Sequence, residues 1–174
     1  MTLHDQANLT ADVMNKSSGR GVKMNTVFEW RNSSYLISTD KEKLDQKAIH
    51  QYLTRSTWAA GIDMNTVAVS IENSLTFGVY DDESQIGFAR LVTDYATFAW
   101  LSDVYILEEY QGKGLGRWLM ASIHDHPVFI KLRRILLCTT TAPWLYKKLG
   151  YEPVNQENFI WTITRPDIYA GNNR

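Results

Sequence analysis

The sequence predicts a mixed α/β (α+β) domain with a mostly antiparallel central sheet flanked by helices. Three observations carry that expectation. Apolar, β-prone residues run through 75–80 and 85–93 on either side of an Asp-Asp-Glu-Ser turn, and again through 98–107, so the three read as a strand meander. Apolar residues recur at helical spacing before the meander (Leu44, Ala48, Ile49, Leu53) and after it (Leu115, Leu119, Ile123). Helices that lie between and after strands cover a sheet rather than build a bundle.

Residues 1–25 are polar and include Lys-Ser-Ser-Gly-Arg-Gly, so they read as an N-terminal extension to a single domain over 26–174, with Met24 a further candidate for its start. Residues 26–38 read as strand interrupted by the turn-prone Asn32-Ser33-Ser34. Asp40 is placed to cap a helix through about residue 54, and a second helix is expected over 64–73. After the meander, a helix is expected over 114–123, limited by Pro127, followed by a strand over 134–140. A short helix over 143–149 closes at Gly150, and a last strand is expected over 159–164, where it is open to pairing across subunits.

Composition narrows the function. At 174 residues, with 44% hydrophobic and 21% charged residues, the chain has the make-up of a globular domain with a real core. A formal net charge of −1 argues against a nucleic-acid binder, whose footprint is strongly basic. No apolar run reaches membrane-spanning length, and the first residues lack the apolar centre of a signal peptide. One cysteine, Cys138, rules out an internal disulfide and fits a reducing compartment, so a cytoplasmic setting is expected. Cys138 follows an apolar run and reads as a small buried core residue rather than a nucleophile. His4, His50, His124 and His126 form no metal-ligand pattern, and no metal is expected; His124 and His126 read as solvated residues at a helix end.

The most informative stretch is Gln111-Gly112-Lys113-Gly114-Leu115-Gly116-Arg117, between an apolar strand and an apolar helix. Glycine costs conformational entropy, and three at alternate positions need a reason. A helix N-terminus offers free N–H groups and positive partial charge, and missing Cβ atoms let a phosphate approach the backbone. Lys113 and Arg117 add positive charge. The Walker pattern fails because no Gly-Lys-Ser/Thr triplet follows at its spacing. The dinucleotide fingerprint fails because position 117 is Arg, and because no parallel strand–helix–strand unit is evident. A purely structural glycine turn is the bland alternative.

These residues resemble the Gln/Arg-x-x-Gly-x-Gly/Ala motif of the GCN5-related N-acetyltransferase (GNAT) superfamily, in its short, single-domain bacterial form. Val104-Tyr105-Ile106 resembles the strand whose backbone pairs with the pantetheine arm of coenzyme A. The stretch from Ala142 to Tyr151 resembles the family helix in which a Tyr precedes Lys-x-x-Gly-Phe/Tyr. The resemblance implies an enzyme that moves an acetyl group from acetyl-CoA, its cosubstrate, to an amine by direct attack on the thioester. It implies a diphosphate held by the N–H groups of Gly112 to Gly116, with Gln111 and Arg117 adding side-chain contacts and Lys113 at solvent or the ribose phosphate. Tyr146 then stands where the family often places the acid for the departing thiolate; otherwise it is a packing residue on an amphipathic helix. Thr140, with Thr139 and Thr141, is expected to touch the pantetheine arm or, for Thr141, to cap the following helix.

A base is harder to name. Asp103 and Asp94 are the acidic residues nearest the expected cleft; either would deprotonate the amine through water, attract a cationic acceptor, or be a structural carboxylate. For the acceptor pocket the aromatic candidates are Phe28, Trp30, Trp58, Tyr95, Phe98 and Trp100, with Trp58 foremost, because it lies between the first two expected helices, where the resemblance implies the substrate site. The acceptor is a small-molecule amine or a peptide or protein amine, without nucleic acid or membrane as partner; homodimer and monomer both stay open. A non-catalytic acyl-CoA-binding or regulatory protein of the same fold is the main rival reading.

Overall fold

In the computed structural model, which describes residues 26–165 and 167–169, the chain folds around one six-stranded sheet in the order β1-β2-β3-β4-β5-β6. The strands are β1 (Glu29–Asn32), β2 (Tyr35–Ser38), β3 (Leu75–Asp81), β4 (Ser84–Thr93), β5 (Phe98–Ile106) and β6 (Arg134–Leu136). All neighbours are antiparallel except β5 and β6, which run parallel. The expected mixed, mostly antiparallel sheet is therefore present. The expected polar extension, residues 1–25, lies outside the described residues.

The helices are α1 (Gln46–Leu53), α2 (Met64–Glu72), α3 (Leu115–Asp125) and α4 (Pro143–Lys148). Asp45 caps α1 by accepting from the N–H groups of Lys47 and Ala48, and Asp63 caps α2 by accepting from Thr66. Ile49 and Leu53, then Val67 and Ile71, are i, i+4 pairs that bury one stripe of each helix against Phe88 and Tyr105. On the opposite face of the sheet, Leu115, Leu119, Met120 and Ile123 of α3 pack on Phe77, Val79, Ala89 and Leu91. α4 buries no residue fully and lies at the edge of this layer.

Several expectations need correction. The helix expected from Asp40 is two elements: Asp40 caps a 3-10 turn, Lys41–Lys43, and extended backbone at Leu44 separates it from α1. β6 stops at Leu136 rather than running to residue 140, because β5, its partner among the described residues, pairs with it over three residues. The expected strand over 159–164 makes no ladder; Trp161 is 83% and Ile163 86% exposed, since β-prone side chains do not form a strand without a paired edge. A parallel strand–helix–strand unit does surround the glycine loop, namely β5–α3–β6, so the dinucleotide reading fails on Arg117 alone.

His126 is buried, not solvated. Its ring meets Phe28 edge-on at 4.5 Å and Phe77 at 5.7 Å, and burial pushes its pKa down to about 4. His124 is half-buried, stacked on Phe129 at 4.1 Å and within 3.3 Å of the Tyr151 hydroxyl. The reason is that Pro127 ends α3 and the chain folds back through a 3-10 turn, Phe129–Lys131, against the last turn of that helix. Cys138 is exposed rather than buried, because β6 has already left the sheet before it is reached.

Candidate active site

The site arises from a failure of pairing. β5 pairs with β6 from Phe98 to Trp100, so among the described residues no strand lies beside its outer edge from Leu101 onward. On its other side, the register with β4 shifts: Phe88 pairs with Tyr105 but Arg90 with Ser102. Two residues of β5, Asp103 and Val104, thus oppose the single Ala89. This is a β-bulge, and Asp103 adopts the left-handed φ of 55° that the extra residue demands. The bulge bends β5 away from the segment after β6 and opens a cleft of about 380 Å³.

One wall of the cleft is β5 from Trp100 to Val104; the other is the segment from Leu137 to Ala142 with Tyr146 of α4. Thr57 and Trp58, from the connection between α1 and α2, form the rim. Of the three residues expected to border the pantetheine arm, Val104 lines the cleft, partly buried against the core on the α3 side. Tyr105 and Ile106 are buried, Tyr105 stacking on Tyr52 at 3.6 Å. Thr140 lines the cleft, while Thr139, not Thr141, makes the turn-stabilising contact by accepting from the Ala142 N–H at 3.0 Å.

β5 leads into the glycine loop through a 3-10 turn, Glu108–Tyr110. Gly112 and Gly114 have φ of 78° and 84°, where a side chain is strained, and a Cβ on either would meet nothing within 4 Å. The first bond of α3 runs from the Trp118 N–H to the Gly114 carbonyl at 3.0 Å, so the N–H groups of Leu115, Gly116 and Arg117 have no helical acceptor. Open space in front of free N–H groups at the positive end of an eleven-residue helix suits a diphosphate. Arg117 extends the positive character across a second hollow of about 310 Å³, shared with Leu145, Lys148 and Leu149 of the α4 region.

Two side chains of the loop are otherwise engaged. Gln111 donates through Nε2 to the Ile106 carbonyl at 2.9 Å, fixing the loop to β5, and the Lys113 ammonium lies over the Tyr110 ring at 4.7 Å. Tyr146 is partly buried beside Tyr151, edge-to-face at 5.7 Å, and burial raises its pKa above the ordinary phenol value of 10.0.

The acidic candidates separate. Asp103 lines the cleft, but Oδ1 accepts from the Trp58 indole at 3.1 Å and Oδ2 from the Arg90 guanidinium at 2.5 Å. Asp94 does not line the cleft. It accepts from the N–H groups of Ala96, Thr97 and Phe98 and from the Thr97 hydroxyl, and these bonds hold its carboxyl well below the usual range. Phe28 also stands apart, packed against Trp30 and His126 on the α3 side of the sheet. Of the six aromatic candidates, Trp58 and Trp100 reach the cleft. Sequence reasoning passed over Arg90; a cation in the middle of an apolar strand was the available signal. Among the described residues no group of three His, Cys, Asp or Glu is placed to hold a metal, and no helix is long and apolar enough to cross a membrane.

A strand-edge cleft beside a glycine loop at a helix N-terminus is what the resemblance to the acetyltransferases implies, and comparison with known proteins agrees. The acetyltransferase (GNAT) domain family matches residues 72–153. A Gibberella zeae protein bearing an acetyltransferase name is 33% identical over 143 residues, covering 70% of this chain and 81% of its own length. An N-acetyltransferase of Gracilaria tenuistipitata var. liui is 28% identical over 82% of this chain and 77% of its own. The crystal structure of a GNAT-family protein from Xanthomonas campestris pv. campestris is 37% identical, with a TM-score of 0.76, over 78% of this chain and 96% of that one. This chain belongs to the GNAT family of acetyltransferases, a family that uses acetyl-CoA and acts on amines.

Proposed function

We propose that this chain is an acetyl-CoA-dependent N-acetyltransferase whose coenzyme lies along the open edge of β5 with its diphosphate on the Gly112–Gly116 loop. The observation that carries the reading is that the cleft, with Tyr146, lies along β5, and that the same strand leads on into the glycine loop and the free N–H groups of α3. Bound acetyl-CoA supplies a thioester. Val104 and Thr140 flank its arm, Gln111 keeps the loop tied to β5, and Lys113 and Arg117 supply positive charge near the phosphates.

Tyr146 keeps its proton on Oη at neutral pH, as a phenol ordinarily does and burial reinforces, and delivers it to the sulfur as the C–S bond breaks and the C–N bond forms. The amine's own proton leaves to water. Trp58 forms the wall on the acceptor side, where a small-molecule, peptide or protein amine enters. Residues 26–174 act as the catalytic domain, and the lone Cys138 suits a cytoplasmic setting.

Calorimetric titration with acetyl-CoA, with ATP and NAD as controls, tests the reading, followed by a screen of amines. Saturable binding of acetyl-CoA alone supports it; no binding overturns it. The rival, a non-catalytic acyl-CoA-binding protein, predicts binding without turnover of any amine.

A further inference from the structure

Four polar side chains link the C-terminal end of α2 to the rim of the cleft. The Ser74 hydroxyl donates to the Ser70 carbonyl at 2.7 Å and accepts from Arg90 Nη1 at 3.2 Å. Arg90 Nε donates to Asp103 Oδ2 at 2.5 Å, and Asp103 Oδ1 accepts from Trp58 Nε1 at 3.1 Å. The inner members are sheltered, with the Asp103 side chain 9% and the Arg90 side chain 18% exposed. Trp58, in contrast, is 54% exposed and among the described residues has one ring neighbour, Tyr52, at 6.3 Å.

An indole so lightly packed has several rotamers open to it, and the bond to Asp103 selects one. The bulge explains how the carboxylate comes to serve it: at a φ of 55° Asp103 leaves the strand's alternation and turns toward Arg90 and Trp58 together. We infer that Asp103 is a positioning residue, held by Arg90, that fixes the Trp58 indole as the wall of the acceptor half of the cleft. Asp103 is then not the base. Both of its oxygens already accept bonds from donors, and those bonds compete with taking a proton from the amine. The amine faces an aromatic wall and a charge already neutralised by Arg90. The wall's purpose rests on the transferase reading; the bonds that hold it do not.

The test uses the full chain and three variants, Asp103→Asn, Arg90→Gln and Trp58→Phe. Asn suits the left-handed backbone at 103, so the first keeps the bulge. Indole N–H resonances of the six tryptophans are recorded by NMR, that of Trp58 being the one lost in Trp58→Phe. Asp103→Asn and Arg90→Gln are expected to shift the Trp58 signal and quicken its exchange with solvent, leaving the other five in place. An unmoved Trp58 signal in Asp103→Asn overturns the inference.

With an amine from the screen, Asp103→Asn is expected to raise the acceptor KM about tenfold, to change kcat less than about threefold and to keep the acidic limb of the pH profile. A kcat loss of about a hundredfold with that limb abolished assigns Asp103 as the base instead. Failure of the parent protein to bind acetyl-CoA sinks the transferase reading, while the indole signals still decide whether Asp103 and Arg90 hold Trp58.

Discussion

Tyr146 and His126 show how burial sets two titrations in opposite directions. Desolvation disfavours charge, so the phenol is held protonated and the imidazole is held neutral. If Tyr146 is the acid, the alkaline limb of kcat lies above pH 10.0, the ordinary tyrosine value. Tyr146→Phe is then expected to lower kcat by about a hundredfold, with little change in acetyl-CoA affinity by calorimetry. His126 acts on stability. Its folded pKa of about 4 lies below the ordinary 6.5, so the unfolded chain takes up the proton first as pH falls. The stability is complete above pH 6.5 and drains away toward pH 4. Urea unfolding at pH 7.5 and at pH 5 should differ by about 2 kcal/mol from this group, the higher pH being the more stable. A histidine three residues beyond an apolar helix face gives no sign in sequence of which way it turns. The fold-back after Pro127, which depends on contacts with Phe28 and Phe77, decides that.

At the level of elements, the glycine loop was legible because its reason is local: positive φ and free N–H groups belong to the turn and the helix start alone. A comparison of glycines separates backbone strain from ligand space. Gly114 and Gly150 have similar φ, 84° and 86°, and open surroundings. Alanine at either should cost about 1–2 kcal/mol of stability, by thermal or urea unfolding. Only Gly114→Ala should also weaken acetyl-CoA binding, by about tenfold or more, since Gly150 lies outside the loop. Gly87 differs again: a Cβ there would meet the Tyr105 carbonyl at 2.8 Å and Ile106 Cδ1 at 2.6 Å, so Gly87→Ala should cost about 1–3 kcal/mol by crowding the β4–β5 pair. The bulge at Asp103, the element that makes the cleft, carried no such local mark. Asp103 sits in an ordinary β-prone run, and only the mismatch between β4 and β5 registers reveals it.

For the whole molecule, the sheet and its two helical layers followed from periodicity, whereas the last part of the chain did not. Residues 159–164 alternate like a strand but stand beside β6 without pairing, touching it through the Arg134 guanidinium over the Phe159 ring at 4.8 Å. Exposed side chains contribute little to the core, so replacing Trp161 and Ile163 together by Ser should change stability by less than about 0.5 kcal/mol in urea unfolding. A larger loss would mean that this segment is covered in solution. What the sequence determined by itself is what short stretches of chain decide: the helices α2 and α3, the β3–β4 hairpin, and the glycine loop opening α3. What only the tertiary structure decided is what distant segments negotiate. The early end of β6, the bulge opposite Ala89, the polar line from Ser74 to Trp58, and the burial of His126 each depend on which strand or ring comes to lie alongside. That neighbour is set by packing of the whole sheet rather than by the residues beside it in sequence.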